Sequence, residues 1–365
     1  MSKRSEQQNH ILYSSLMIVI LAAAISVWGL LAIYRTLALT GKWEHFLGRQ
    51  SLWMLAAWII FFLLKKSSFE KIMRIAPIVA AAGAVLLLFL PLCGMKVNGM
   101  SGWYALGPIT IQPSEILKGF YIVVLVKIMT SEQLSQFFRF IISLAVIGTF
   151  MILLLIQPDF GTMSVYAVGG ICTLYFCRAK IKYLAITALA AIPAALTAVM
   201  LYPYMLNRLI NFFDPSLDPG GGSWHLRQFS TAIARGEWFG VKGDMAVWSN
   251  SFLPLSHNDS IFAGMCEMLG FTGSLILLML YAAWFYQMYA LSFWRHEPHR
   301  RMVIDSMACM LMMQTFLHIF VNLGLLPPTG ITLILVSYGG SSAVGTMIML
   351  AMIISAGTVD KQHSI

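Results

Sequence analysis

A chain of 365 residues that is 59% hydrophobic and only 11% charged is not an ordinary soluble protein, in which about a quarter of residues carry charge. This much apolar sequence means a polytopic membrane protein, and the net charge of +9 then reports where Lys and Arg fall along the loops, not nucleic-acid binding. The five cysteines, Cys93, Cys172, Cys177, Cys266 and Cys309, lie in or beside apolar runs without CxxC or Cys/His spacing, which leaves them as packing residues.

The N-terminal stretch MSKRSEQQNH leads into an apolar run too long for a signal-peptide core. No A-x-A-like site follows it, so it reads as an uncleaved first span. Segments able to cross about 30 Å of hydrocarbon fall at Ile11–Tyr34, Leu52–Leu64 with its flanks, Ile75–Cys93, Ile116–Met129, Phe140–Ile156, Phe160–Cys177, Tyr183–Tyr202, Ile261–Leu291, Met302–Leu325 and Ile331–Ile354. The expected fold class is an all-α polytopic membrane protein with ten transmembrane helices, a single integral membrane domain over residues 1–365. Of the 24 Lys and Arg, fifteen fall in the loops that share a side with both termini, among them KKSSFEKIMR, CRAKIK and RHEPHRR. The positive-inside rule therefore predicts cytoplasmic N and C termini, with these clusters as plain anchors. The other nine are spread over longer outer loops. The largest, residues 203–259 between spans 7 and 8, is too long for a mere connector. Within it Leu226, Phe229, Ala232 and Ile233 recur at roughly helical spacing and predict a short amphipathic helix on the outer surface.

The distinctive polar residues collect on that outer side. Val97–Phe120 combines Gly turns, the interfacial aromatics Trp103 and Tyr104, and Gln112-Pro113-Ser114-Glu115, a helix start with an acid in its first turn. Lys118, three residues past Glu115, shares its face. The pair is either a plain salt bridge or part of a site in which Lys118 meets an anionic headgroup or pyrophosphate. In QPDFGTM, Gln157–Met163, Asp159 stands beside a helix-breaking proline and suits an N-cap of the sixth span. Ser251–Gly273 passes from His257, Asn258 and Asp259 straight into an apolar run that still carries Glu267. Asn258 or Asp259 is the expected N-cap. Glu267, about 12 Å further at about 1.5 Å per residue, falls within a quadrant of the same face, and ionisable groups at such depth are functional candidates. Asn322–Gly345 joins a Pro-Pro-Thr-Gly turn to a Gly-Gly-Ser-Ser break, which allows close helix approach or an unwound segment lining a cavity. Transporters use interrupted spans too. No Walker A, GxSxG, HExxH or zinc spacing occurs, so an enzyme built on this chain needs a substrate that arrives activated.

Together these runs resemble the SEDS family (shape, elongation, division and sporulation), the RodA/FtsW/SpoVE-type proteins. The resemblance rests on Asn98-Gly99, Trp103, Gln112–Glu115 and Lys118; on Gln157–Thr162, with Phe160 where the family has Leu; on Gln228–Gly236; and on Pro328–Gly330 with Ser337–Ser342. Asp259 falls on the family's essential Asp. The run around it departs from the pattern, with Asn258 for Thr, Ser260 for Phe, Glu267-Met268 for a Glu pair, and Gly240-Val-Lys-Gly243 for a richer Gly segment. The resemblance implies a peptidoglycan glycosyltransferase that polymerises lipid II on the outer face of the bacterial cytoplasmic membrane, with a class B penicillin-binding protein as partner.

Because lipid II carries its own pyrophosphate leaving group, neither ATP nor a sugar nucleotide is needed. One carboxylate, Asp259, suffices as general base for the acceptor hydroxyl. Lys118, Arg208, Arg227 and Lys242 are the outer cations available to the departing pyrophosphate, or a divalent ion such as Mg or Mn would serve. Glu115, Asp159, Gln228, Glu267 and Ser337 complete the expected substrate-binding set. Two other classes share these features: a lipid-linked precursor flippase, and a non-catalytic scaffold that activates the penicillin-binding partner.

Overall fold

The computed structural model describes residues 3–97, 99–107, 109–214, 216, 224–241 and 246–358. Twelve helices of ten residues or more are present among them: α1 (Lys3–Leu37), α2 (Trp43–Leu64), α3 (Phe69–Cys93), α4 (Pro113–Met129), α5 (Gln136–Leu155), α6 (Phe160–Phe176), α7 (Ile181–Leu201), α8 (Pro203–Phe213), α9 (Trp224–Gly236), α10 (Ile261–Phe293), α11 (Pro298–Asn322) and α12 (Gly340–Gly357). Local chemistry sets several of these starts. Ser68 and Ser135 cap α3 and α5 by accepting the N–H groups of Lys71 and Phe138, and prolines stand in the first turns of α4, α8 and α11, where a missing N–H costs nothing.

Every predicted span contains a helix. Eight are long and apolar enough to cross a membrane: α1, α2, α3, α5, α7, α10, α11 and α12. The helices at the fourth and sixth predicted spans, α4 and α6, have only 17 residues each. At about 25 Å they fall short of roughly 30 Å of hydrocarbon. Both begin at the end of the bundle where α10 and α12 begin and α11 stops, so that end is hollowed. The chain is not purely helical, because Met95–Val97 (β1), Met100–Leu106 (β2) and Ile109–Ile111 (β3) form a small antiparallel sheet. The Gly turns around Trp103 and Tyr104 are its corners, and Tyr104 Oη donates to the Leu86 carbonyl at 2.7 Å.

The last helix is the axis of the bundle. Its apolar window is 94% buried, and it packs against α2, α4 and α11, as expected of a helix that is apolar all round. At the other extreme, the apolar window of α7 is only 6% buried. The tenth predicted span is shortened: residues 331–339 are not helical and α12 starts at Gly340. The unwound stretch turns through Leu335 at φ 60°.

The predicted span Ile261–Leu291 is also interrupted, at Gly270 with φ 65° and ψ −168°. Residues 237–241 are stitched into the break: Phe271 N donates to Glu237 O, Thr272 N to Trp238 O and Val241 N to Glu267 O. Gly240, at φ 77°, approaches so closely that a Cβ there would overlap the Met268 backbone. The amphipathic helix predicted inside the long loop exists as α9, but not as a surface float. Phe229 and Ala232 pack with Leu253, Ala263 and Val321 instead. At the end carrying the termini, Arg300 is buried rather than a solvated anchor. It pairs with Glu70 and Glu297 and donates to Thr358 O.

Close approach of α12 to α4 rests on Gly345, where a Cβ would overlap the Glu115 carbonyl oxygen. Gly345→Ala is expected to lower the thermal unfolding temperature of the detergent-solubilised protein. Gly148→Ala in α5, where a Cβ meets nothing within 4 Å, should leave it unchanged or raise it.

Candidate active site

The hollow end holds a cavity of about 530 Å³ whose walls bring together the separated motifs. Gln112 and Glu115 come from the start of α4, Asp159 to Thr162 from the start of α6, Arg208 from α8, Asn258 and Asp259 from the approach to α10, Thr329 to Thr332 from the unwound stretch, and Tyr338 to Ser342 from the start of α12. The first turns of three helices thus face one space. Helix N-termini carry unpaired N–H groups and about half a positive charge each, so the cavity is prepared for an anion despite its carboxylates.

Those carboxylates are in different states. Asp159 is the N-cap of α6, accepting Thr162 N at 3.0 Å on Oδ1, while Oδ2 accepts Gln112 Nε2 at 3.1 Å. Burial pushes its pKa up, opposed by the Thr162 hydrogen bonds. Glu115 pairs with Lys118 at 2.6 Å, and Lys118 Nζ also donates to Gln314 Oε1 at 2.7 Å. Lys118 therefore stands one residue behind the cavity wall, with its charge already engaged. Asp259 differs from both. It is not the cap of α10, since Ser260 holds that position without a side-chain bond. Its Oδ1 is buried without a hydrogen-bond partner. Burial raises its pKa from 3.8 to about 6, against the opposing pull of Arg208.

Around Asp259 the backbone is held from several sides. Asn322 Nδ2 donates to the Asp259 carbonyl at 2.9 Å, and Asn322 Oδ1 accepts Ala263 N at 3.1 Å. Ser337 Oγ donates to Asn258 O at 2.9 Å and accepts Leu333 N at 2.8 Å. A Cβ at Gly330, whose φ of 72° already calls for glycine, would lie 3.8 Å from Asp259 Oδ2. Arg208 Nη1 donates to Pro328 O at 2.8 Å, tethering α8 over the same turn. Burial and Lys42 lower the pKa of His257, in contact with the rings of Phe46 and Tyr338, to about 4, so it stays neutral near pH 7.

Of the residues singled out from sequence, Asp259, Glu115, Asp159 and Arg208 line the cavity. Lys118 and Ser337 support its walls. Glu267 does not share the cavity with Asp259. It is fully buried, accepting Arg235 Nε at 3.0 Å and the backbone N–H groups of Trp248 and Ser249, and it pins the long loop to α10. Arg227 and Gln228 lie on α9 and are not lining residues. Lys242 falls outside the described residues.

Sequence reasoning missed the residues that hold the unwound stretch. On α11, Gln314, His318 and Asn322 recur every four residues and are all buried. Gln314 Nε2 donates to Thr332 O at 3.2 Å, and His318 Nδ1 lies 2.6 Å from Ile331 O. On α2, Gln50 accepts Gly339 N at 3.1 Å and donates to Ser337 O at 3.4 Å. The signal was legible: isolated amide and imidazole side chains on one face of an apolar helix. Among the described residues no cluster of three or more His, Cys, Asp or Glu is placed to hold a metal ion. A divalent cation held there would rest on Asp259 and on phosphate oxygens of a substrate, since Asp159 and Glu115 already have donors.

A family model described as FTSW_RODA_SPOVE, cell cycle protein, matches residues 11–362. A probable peptidoglycan glycosyltransferase FtsW from Alkalilimnicola ehrlichii is 33% identical over 323 residues, covering 86% of this chain and 80% of its own. Its counterpart from Nitrosococcus halophilus is 31% identical, covering 86% and 83%. Among solved structures, a chain from work described as "Structural coordination of polymerization and crosslinking by a peptidoglycan synthase complex" superposes with a TM-score of 0.79 at 27% identity, covering 93% of this chain and 96% of that one. The Thermus thermophilus rod shape determining protein RodA shares the fold, with a TM-score of 0.71 at 23% identity over 93% and 95% of the two chains. With its motifs gathered around one cavity and its whole length matched, this integral membrane chain belongs to the FtsW/RodA/SpoVE family of cell cycle proteins.

Proposed function

We propose that the chain is a peptidoglycan glycosyltransferase that polymerises lipid II, working at the outer face of the bacterial cytoplasmic membrane. The observation that carries the reading is Asp259: a carboxyl oxygen without a partner, in a cavity shared with Arg208 and three helix N-termini. Relatives named as peptidoglycan glycosyltransferases support it. In this scheme Asp259 takes the proton of the acceptor's 4-hydroxyl as that oxygen attacks the anomeric carbon of the donor. The bond from that carbon to the pyrophosphate breaks, and its electron pair departs with the undecaprenyl pyrophosphate. One base and one departing group invert the α-linked donor to a β-1,4 bond, and this scheme needs no covalent intermediate on a second carboxylate. Arg208 and the helix N-termini offset the charge that develops on the departing pyrophosphate.

Glu115 lines the cavity, and Lys118 and Gln314 act behind it, fixing α4 against the unwound stretch. The long loop, residues 203–259, is the extracytoplasmic part of a single membrane domain. A class B penicillin-binding protein is the partner this reading names, in keeping with the coordinated polymerization and crosslinking of the similar complex.

Asp259 must be ionised to accept a proton, so glycan synthesis from labelled lipid II by the purified chain with its partner is expected to rise with pH through about 6. Asp259→Asn should lower it by about 10²–10⁴-fold, the range of a general base; ladders of normal length and yield from this variant would remove Asp259 from the role.

The same shift fixes a stability change. A folded pKa above the ordinary 3.8 means that the folded state holds the proton more tightly than the unfolded one. Stability then falls as pH rises between about 4 and 6 and stays lower above that window. Asp259→Asn should therefore unfold at a higher temperature than the parent at pH 8, with the difference vanishing near pH 4.

For the buried pair, Lys118→Met leaves Glu115 unpaired and is expected to cost about 3–5 kcal/mol. Glu115→Gln combined with Lys118→Met should recover much of that loss in thermal unfolding, and no recovery would show that the two do not act as a pair.

A further inference from the structure

The loop helix that the bundle does not cover is α8. At about 100° per residue, Leu206, Ile210 and Phe213 fall within an arc of about 60°, with Arg208 on the opposite side and Met205 about 110° from the centre of the arc. Met205 and Arg208 line the cavity. The three apolar side chains on the other side are 36%, 42% and 76% exposed, and Asn207 forms a separate exposed polar edge. The helix carries one cation, Arg208, and no acid. It follows α7 with Tyr202 alone between them, and α7 ends in Met200 and Leu201 at 71% and 67% exposure. The turn between them is fixed by Tyr202, whose hydroxyl donates to Leu155 O at 2.9 Å and whose ring meets Phe160 edge-on.

We propose that α8 lies in the headgroup–acyl boundary of the membrane leaflet at the cavity end, with Leu206, Ile210 and Phe213 in lipid, and that this lipid seat holds Arg208 over the cavity. The occupant of the stripe is lipid, because α8 follows, with Tyr202 alone between them, on α7, an apolar helix long enough to cross a membrane whose window is only 6% buried. The water-facing edge at Asn207 and the cavity-facing edge at Arg208 leave one side for it. An amphipathic helix of this kind buries its apolar face about 5–10 Å into the boundary. The leaflet is the outer one on the function proposed above. The lipid seat acts beside the hydrogen bond to Pro328 O in placing Arg208, and with it Met205, at the cavity.

The test uses the full chain. In one arm, Ile210 is replaced by a benzophenone amino acid and irradiated in membranes of cells making the protein. A phospholipid adduct is expected; a polypeptide adduct would overturn the proposal and make the stripe a protein-docking face. In a second arm, I210C and N207C, each spin-labelled in a chain whose five native cysteines are alanine, are reconstituted in nanodiscs of phosphatidylethanolamine and phosphatidylglycerol. The label at 210 should collide with oxygen more than with a water-soluble nickel chelate, and that at 207 the reverse. Equal access of both labels to nickel would sink the idea. Both readouts are independent of polymer formation, so they stand or fall apart from the proposed reaction. In a third arm, L206Q/I210Q/F213Q should raise KM for lipid II about tenfold with kcat nearly kept, the loss expected when a pre-organised contact is released. L206I/I210L/F213L should restore it; an unchanged KM in the glutamine variant would count against the lipid seat.

Discussion

Residues 331–339 pass through the hollow end of a membrane bundle without forming a helix, with a single turn closed by Val336 N and Ser337 N on Leu333 O, and each further N–H and C=O left unpaired there would cost several kcal/mol. The structure answers that debt with side chains drawn from neighbouring helices. Gln50 serves Ser337 and Gly339, Ser337 serves Leu333, Gln314 serves Thr332, and His318 serves Ile331. The cavity lies where this stretch is unwound, and these side chains satisfy its backbone there. Asn322 extends the same stripe of α11 to the carbonyl of Asp259, so the scaffold of the cavity floor also places the carboxylate.

That placement sets function against stability. A carboxyl held without a partner and with a raised pKa is suited to take a proton near neutral pH, yet its ionised form is the one the folded state tolerates least. Asp159, by contrast, is spent on the α6 cap and on Gln112, and Glu115 on Lys118. Three acids border one cavity, and the division of labour among them follows from which oxygens already have donors.

Much of this was legible in the sequence because each signal was local. Apolar runs placed a helix at every span, Pro113 and Asp159 marked helix starts, and the spacing of Glu115 and Lys118 predicted their pairing. Where the outcome depended on distant partners, pattern reading failed. Eight residues of helical phase put Glu267 near the face of Asp259, but the helix begins only after Asp259, and Arg235 with the 248–249 backbone claims Glu267. The apolar stripe of α9 looked like a membrane float, yet Leu253 and Val321 were waiting to cover it. The hydropathy of Ile331–Leu335 reads as helix, and only the donors on α2 and α11 make its unwound form affordable.

The break in α10 carries a consequence for how the protein meets membranes of different thickness. A 33-residue helix is about 50 Å long, well beyond the hydrocarbon core, and a continuous rod of that length responds to a thinner or thicker bilayer by tilting. With Gly270 interrupting the rod and residues 237–241 clamped to it, the segment bearing Ile261 takes its own direction beside Asn322 and the long loop, while the segment beyond is held in the bundle by its packing on α1 and by Trp284 Nε1 donating to Ile18 O. The bilayer thus meets two shorter segments of different direction and not one rod of about 50 Å.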